Sequence, residues 1–116
     1  MSGEAVDNLT TAILFTTIAS TRVDNYILGN LLRDLVGRDK WPSAYAVYLF
    51  LWWKSAGSRK RSVRISHRGI ADETGLSKSG VQAAIRHLNR RKLLRSRLAT
   101  PTSTPEHFVL RPWLRR

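Results

Sequence analysis

The sequence predicts a mainly α-helical domain with a small β-hairpin, and three stretches carry the prediction. Ile65 to Leu94 repeats apolar residues at helical spacing on both sides of a break at Thr74-Gly75. Ala44 to Trp53 is apolar nearly all round, as a helix buried on more than one side would be. Arg95 to Leu98 and His107 to Leu110 are short strand-like runs on either side of a loop holding Pro101 and Pro105.

In chain order, residues 1–8 have nothing to tether them. Leu9 to Ala19, LTTAILFTTIA, is rich in threonine and isoleucine and is expected to be a strand that packs on the domain or pairs with a partner chain. Asp24 to Val36 predicts an amphipathic helix, N-capped by Asp24 and ended by Gly37. Its stripe would be Ile27, Leu28, Leu31, Leu32 and Leu35. Pro42 suits the start of the next helix, placed at Ala44 to about Ala56, because a proline there loses no intrahelical bond. That helix is expected to lie between the Asp24–Val36 helix and the later helix pair, with Trp52 or Trp53 available to a dimer interface. Gly57 would end it, and Ser58-Arg59-Lys60-Arg61 is a basic loop.

Ser62 to Ile65 suits a small strand, and Ser66 a cap for a helix from His67 to Thr74. A longer helix opens at Ser77 and runs to Arg91. Ile70, Ala71, Leu76, Val81, Ala84, Ile85 and Leu88 would face one another across the turn, leaving Lys78, Ser79, Gln82, Arg86 and Arg90 outside. This is the pattern of a helix-turn-helix, whose second helix enters the DNA major groove. The hairpin after it should project its Ala99–Pro105 tip, and Trp113 should fold back on the core, freeing Arg115 and Arg116 for phosphate. Residues 1–21 are thus an N-terminal segment and 22–116 the domain proper.

Charge points to the kind of partner. The chain of 116 residues carries a net +12, with pI near 11.4. Residues 1–53 hold four basic groups against five acids, whereas residues 54–116 hold sixteen against three. A neutral half followed by so basic a half is suited to a polyanion. The absence of cysteine excludes disulfides, thiolate zinc sites and thiol nucleophiles. MSGEAVDN is acidic where a secretory signal would be basic, and the longest apolar run is far shorter than a membrane span of about 20 residues. A cytoplasmic, nucleoid-associated protein without a membrane partner is expected.

Residues 22–111 resemble the winged helix-turn-helix superfamily. The resemblance is carried by Ile70-Ala71, Gly75-Leu76-Ser77, Val81, Ala84-Ile85, Leu88-Asn89 and the closing RRKLL. It implies that Ala71 lets the two helices approach and that Gly75 takes positive φ. It also implies that the hairpin is a wing. The glycine usual in that close is absent here. The upstream order of helices is similar, more loosely, to DNA-binding domains of phage and plasmid replication proteins.

On the expected recognition helix, residues 77–91, Lys78, Ser79, Gln82, Ala83 and Arg86 are the candidate base readers. Gln82 can pair bidentately with adenine, Lys78 or Arg86 can address guanine O6 and N7, and Ala83 can meet a thymine methyl. Phosphate binders are expected at Arg59, Lys60, Arg61, Arg64, Arg68, Arg90, Arg91, Arg95 and Arg97, and at Ser77, where the helix opens. Wing residues Thr100, Thr102, Ser103 and Thr104 could touch the minor groove or backbone.

Catalysis has little support. His67, His87 and His107 are spread along the chain without a cysteine or acidic companion set, and adjacent Asp72 and Glu73 point different ways. Asp72 and Glu73 are expected to offset nearby arginines, and His87 to be a surface or DNA-facing residue. The protein is expected to be a non-enzyme without cofactor or metal. Two functions fit. One is a small transcriptional regulator binding double-stranded DNA as a homodimer, joined through residues 9–36 and the 44–56 helix. The other is a replication-initiation or partition component that recruits a protein through residues 9–36. RNA binding is a third possibility, since a winged helix and positive charge do not exclude it.

Overall fold

The computed structural model describes residues 20–114, so residues 1–19, with the expected Leu9–Ala19 strand, and Arg115 and Arg116 lie outside the described residues. The described chain is mainly helical, with a three-stranded antiparallel sheet.

The first helical stretch differs from the expectation. It is wound with i→i+5 hydrogen bonds over Ile27–Leu31 and again over Arg33–Arg38. Asp24 does not cap it with its side chain, which is drawn instead to Arg111 and Trp113, and Gly37 lies inside the second run instead of ending it. The wider turn brings every fourth residue to the core: Ile27, Leu31 and Leu35 are buried. Leu28 and Leu32, expected in the same stripe, are exposed. Part of the reason lies elsewhere in the fold. The Ile27 carbonyl accepts from both the Leu32 N–H and the Tyr45 hydroxyl, at 2.9 Å, which anchors the stretch to the next helix.

Helix α1, Pro42–Lys54, begins at the proline itself and is followed by a 3-10 turn, Ala56–Ser58. Seven of its residues are buried, among them Val47, Tyr48, Leu51 and Trp52. It packs on the preceding helical stretch and on both helices that follow, so it is the centre of the core. Trp52 is 3% exposed and donates its Nε1–H to the Arg22 carbonyl at 2.8 Å, which removes it from any interface; Trp53 is 47% exposed. Gly57 does not terminate the helix but lies within the 3-10 turn, pressed so closely on Thr21 that a Cβ would collide with it.

Strand β1, Val63–Arg64, leads to α2, His67–Thr74, and α3, Lys78–Arg90. Ser66 caps α2 by accepting from the Gly69 N–H, and Ser77 caps α3 by accepting from the Gly80 N–H, both at 3.0 Å. Between them Gly75 has φ 82°, a conformation that costs glycine little. Ile70 and Ala71 of α2 and Val81, Ala84, Ile85 and Leu88 of α3 are buried against α1 and one another.

Strands β2, Leu94–Arg97, and β3, Glu106–Val109, form the hairpin, one residue earlier in the chain than periodicity suggests. β1 joins β3 on its other edge, giving the order β1-β3-β2. Pro101 turns the tip, where the Ser103 N–H donates to the Thr100 carbonyl. Trp113 does return to the core edge, stacking on Tyr26 with ring centroids 4.7 Å apart. Lys92, just before β2, carries φ 59°. Lys92→Gly is therefore expected to raise the unfolding free energy by about 0.5–1 kcal/mol, the left-handed penalty less the extra chain entropy of glycine. A urea titration checks this; a lower midpoint contradicts it.

Candidate nucleic-acid interface

The register of the small sheet sorts the candidate residues. Arg64, Glu106 and Arg97 fall in one row across the three strands, and Val63, His107 and Ser96 in the next. In the first row the Arg97 guanidinium donates to Glu106 at 2.7 Å, Arg64 lies 3.7 Å from the same oxygen, and Ser62 donates to the other. The Ser62 and Arg97 hydrogen bonds, with the arginine charges, hold the Glu106 carboxyl below its ordinary range. Two expected phosphate binders are therefore partly spent on an internal carboxylate.

The second row continues into a polar relay. His107 is buried, and its Nε2 lies 3.2 Å from the Ile65 carbonyl, which can only accept; Nε2 therefore bears the proton. Its Nδ1 then accepts from Ser96 Oγ at 2.8 Å, and Ser96 Oγ accepts from Asn89 Nδ2 at 3.1 Å. The Ser96 N–H closes the loop on Asn89 Oδ1. This ties the C-terminal turn of α3 to both hairpin strands and to the entry of α2. Burial, with a smaller repulsion from His67, lowers the His107 pKa despite the bond to Ile65, so the folded state holds it neutral. A group whose folded pKa lies below its ordinary 6.5 loses stability as pH falls through that value. The urea midpoint is thus expected to be lower at pH 5 than at pH 7.5; an equal or higher midpoint at pH 5 contradicts the neutral assignment.

Helix α3 presents two faces. Val81, Ala84, Ile85 and Leu88 are buried, whereas Lys78, Ser79, Arg86 and Arg90 are exposed and Gln82 and Ala83 half-buried. Periodicity thus placed the proposed base readers together on the outer side of one helix. Arg59, Lys60 and Arg61 are exposed beyond the 3-10 turn, where Arg59 carries φ 61°. Arg68 is exposed on the first turn of α2. The Arg95 guanidinium lies over the Phe108 ring at 4.2 Å, with Arg97 over it at 5.5 Å.

Two expectations on α3 need correction. His87 is not a free surface residue: it stacks on Trp41 at 4.4 Å, and its Nε2 bonds Asp39 at 2.7 Å. Arg91 bonds the same carboxylate at 3.2 Å, so it braces the first helical stretch instead of standing free for phosphate. Of the acidic pair, Glu73 offsets Lys54 of α1, at 3.5 Å, and not a neighbouring arginine.

A cleft of about 500 Å³ separates the hairpin from the helix pair. Helix residues Ser66, His67, Arg68, Lys78, Gln82 and Ile85 form one wall; Ser96, Arg97, Leu98, Pro101, Ser103, Pro105 and His107 form the other. Among the described residues, no carboxylate lines it. His67, which sequence reasoning did not assign to the site, lies here with its ring 6.4 Å from that of His107. Its only sequence signal was its place beside Arg68 in the first turn of α2. A second hollow, behind the hairpin, is lined by Asn89, Lys92, Leu94, Arg95, Leu110, Arg111 and Pro112. Asp24 holds Arg111 there at 2.8 Å. Burial works to raise the Asp24 carboxyl, but the bonds from Trp113 and Arg111 outweigh it and keep its pKa low. Among the described residues, no group of three or more potential ligands could hold a metal ion, and no helix is long and apolar enough to cross a membrane. No family model matches the chain, and no curated protein or solved structure matches it either.

Proposed function

We propose that the chain is a sequence-specific DNA-binding protein of winged helix-turn-helix type, acting as a small transcriptional regulator. Helix α3 lies in the major groove, with Lys78, Ser79, Gln82, Ala83 and Arg86 at base edges. The β2–β3 hairpin serves as the wing, and the 59–61 loop, Arg68, Arg90 and Arg95 meet phosphates. The observation that carries this reading is the outer face of α3: cationic and amide side chains at successive turns, beside a cleft that, among the described residues, no carboxylate lines. A solubilising surface would intersperse both signs.

Selection of bound sequences from a random duplex pool at near-physiological salt tests the proposal. A motif of a few base pairs is expected, and log K should fall against log salt with a slope of about −5 if some six phosphates are engaged. Absence of enrichment, with equal affinity for duplex RNA, contradicts it. The proposed homodimer would use exposed Trp53 on α1 together with Leu28 and Leu32. In that case the selected motif is a palindrome with half-sites one helical turn apart. The same two leucines favour a second reading, a replication or partition component whose first helical stretch recruits a protein partner. A single unrepeated half-site would favour it.

A further inference from the structure

We infer that the cleft between the hairpin and α3 is a phosphate seat in which His67 binds as its imidazolium, so that DNA binding takes up a proton. The inference rests on the DNA-binding reading and adds a residue and a linkage to it. His67 is half-buried at the start of α2, beside Arg68. The charges that act on it from α3 are Lys78 and Arg86, both positive, and from β3 it faces the neutral ring of His107. Arg97 stands on the far wall. The carboxylate of β3, Glu106, is occupied by Ser62, Arg64 and Arg97; on α2, Glu73 is paired with Lys54 and Asp72 is exposed towards the other end of the helix.

The consequence is electrostatic. Without a ligand, burial and then the Lys78 and Arg86 charges work against a proton on His67 and keep it neutral near pH 7. A phosphate entering the cleft offsets those charges and supplies an acceptor for a ring N–H, so the bound state favours the imidazolium. Because the bound pKa exceeds the free one, affinity rises as pH falls through the bound value and levels off below the free value. One proton can contribute at most about tenfold per pH unit. His87, bonded to Asp39 and stacked on Trp41, lies outside the cleft, and His107 already has both ring nitrogens engaged.

The experiment measures the Kd of the full chain for a mixed-sequence 20-base-pair duplex from pH 6 to pH 8 at fixed ionic strength, with wild type and His67→Asn. Wild type is expected to bind about three- to fivefold more tightly per pH unit towards pH 6, within the one-proton bound. The variant should show a flat profile across the same range, and the slope against pH is the readout whatever its absolute affinity. A variant profile as steep as wild type overturns the proton role of His67 while leaving DNA binding intact. No duplex binding at any pH removes the DNA-binding reading itself and this inference with it. A proton NMR titration of the His67 ring supplies a second measurement that needs no substitution. Its pKa should rise when the duplex is added, and an unchanged or lower value overturns the inference.

Discussion

Leu88→Ala is expected to lower the unfolding free energy by about 3–4 kcal/mol, within the range for truncating a fully buried leucine. Leu88 is 0% exposed and belongs to the cluster in which α1 meets α3. Removing its side chain costs the transfer free energy of the lost methyl groups and leaves a cavity between helices already braced elsewhere. The Asn89–Ser96–His107 relay and the Asp39 contacts to His87 and Arg91 limit how far α3 can collapse into that space. Since small domains are stable by only about 5–15 kcal/mol, the change should move the urea midpoint far without altering the slope. Leu28→Ala, at a position 53% exposed, is the internal contrast and should cost less than about 1 kcal/mol. Similar losses at the two positions would mean that the first helical stretch is packed differently.

The second large effect concerns binding and separates the two roles given to arginine. Arg86→Ala should relax preference at one base pair, losing about 1–3 kcal/mol of discrimination there, while the other positions of the motif keep theirs. Arg95 lies over Phe108 and lines the hollow behind the hairpin, not the cleft beside α3. Arg95→Ala should therefore weaken every sequence alike and reduce the salt slope by about one. Competition binding with single-base variants of the selected site distinguishes the two. If both substitutions act uniformly on all sequences, base reading by α3 is wrong even though the protein binds DNA.

The parts of this structure legible in the sequence are those fixed by local chemistry. Ser66, Gly75 and Ser77 mark the ends of α2 and α3 through caps and a positive φ, which depend only on neighbours in the chain. The spacing of Val81, Ala84, Ile85 and Leu88 likewise determined which side chains of α3 point outwards. Long-range contacts were not legible. The i→i+5 winding of Ile27–Leu31 is accompanied by a bond from Tyr45, eighteen residues on, and it moves Leu28 and Leu32 out of the expected stripe. His87 reads as an outward histidine until Asp39 and Trp41 close over it. The partial neutralisation of Arg64 and Arg97 followed from strand register, which places Glu106 between them and which no short-range pattern specified. His67 became a site residue only when the hairpin supplied the opposite wall of its cleft.

Dimethyl sulfate protection on the selected duplex tests whether α3 reads bases from the major groove. This reagent methylates guanine at N7, in the major groove, and adenine at N3, in the minor groove. Protection of guanine N7 within the motif is expected, lost at one guanine in Arg86→Ala, with adenine N3 in neighbouring base pairs still reactive. Free guanine N7 throughout a fully bound site, with adenine N3 protected, would contradict major-groove reading by α3.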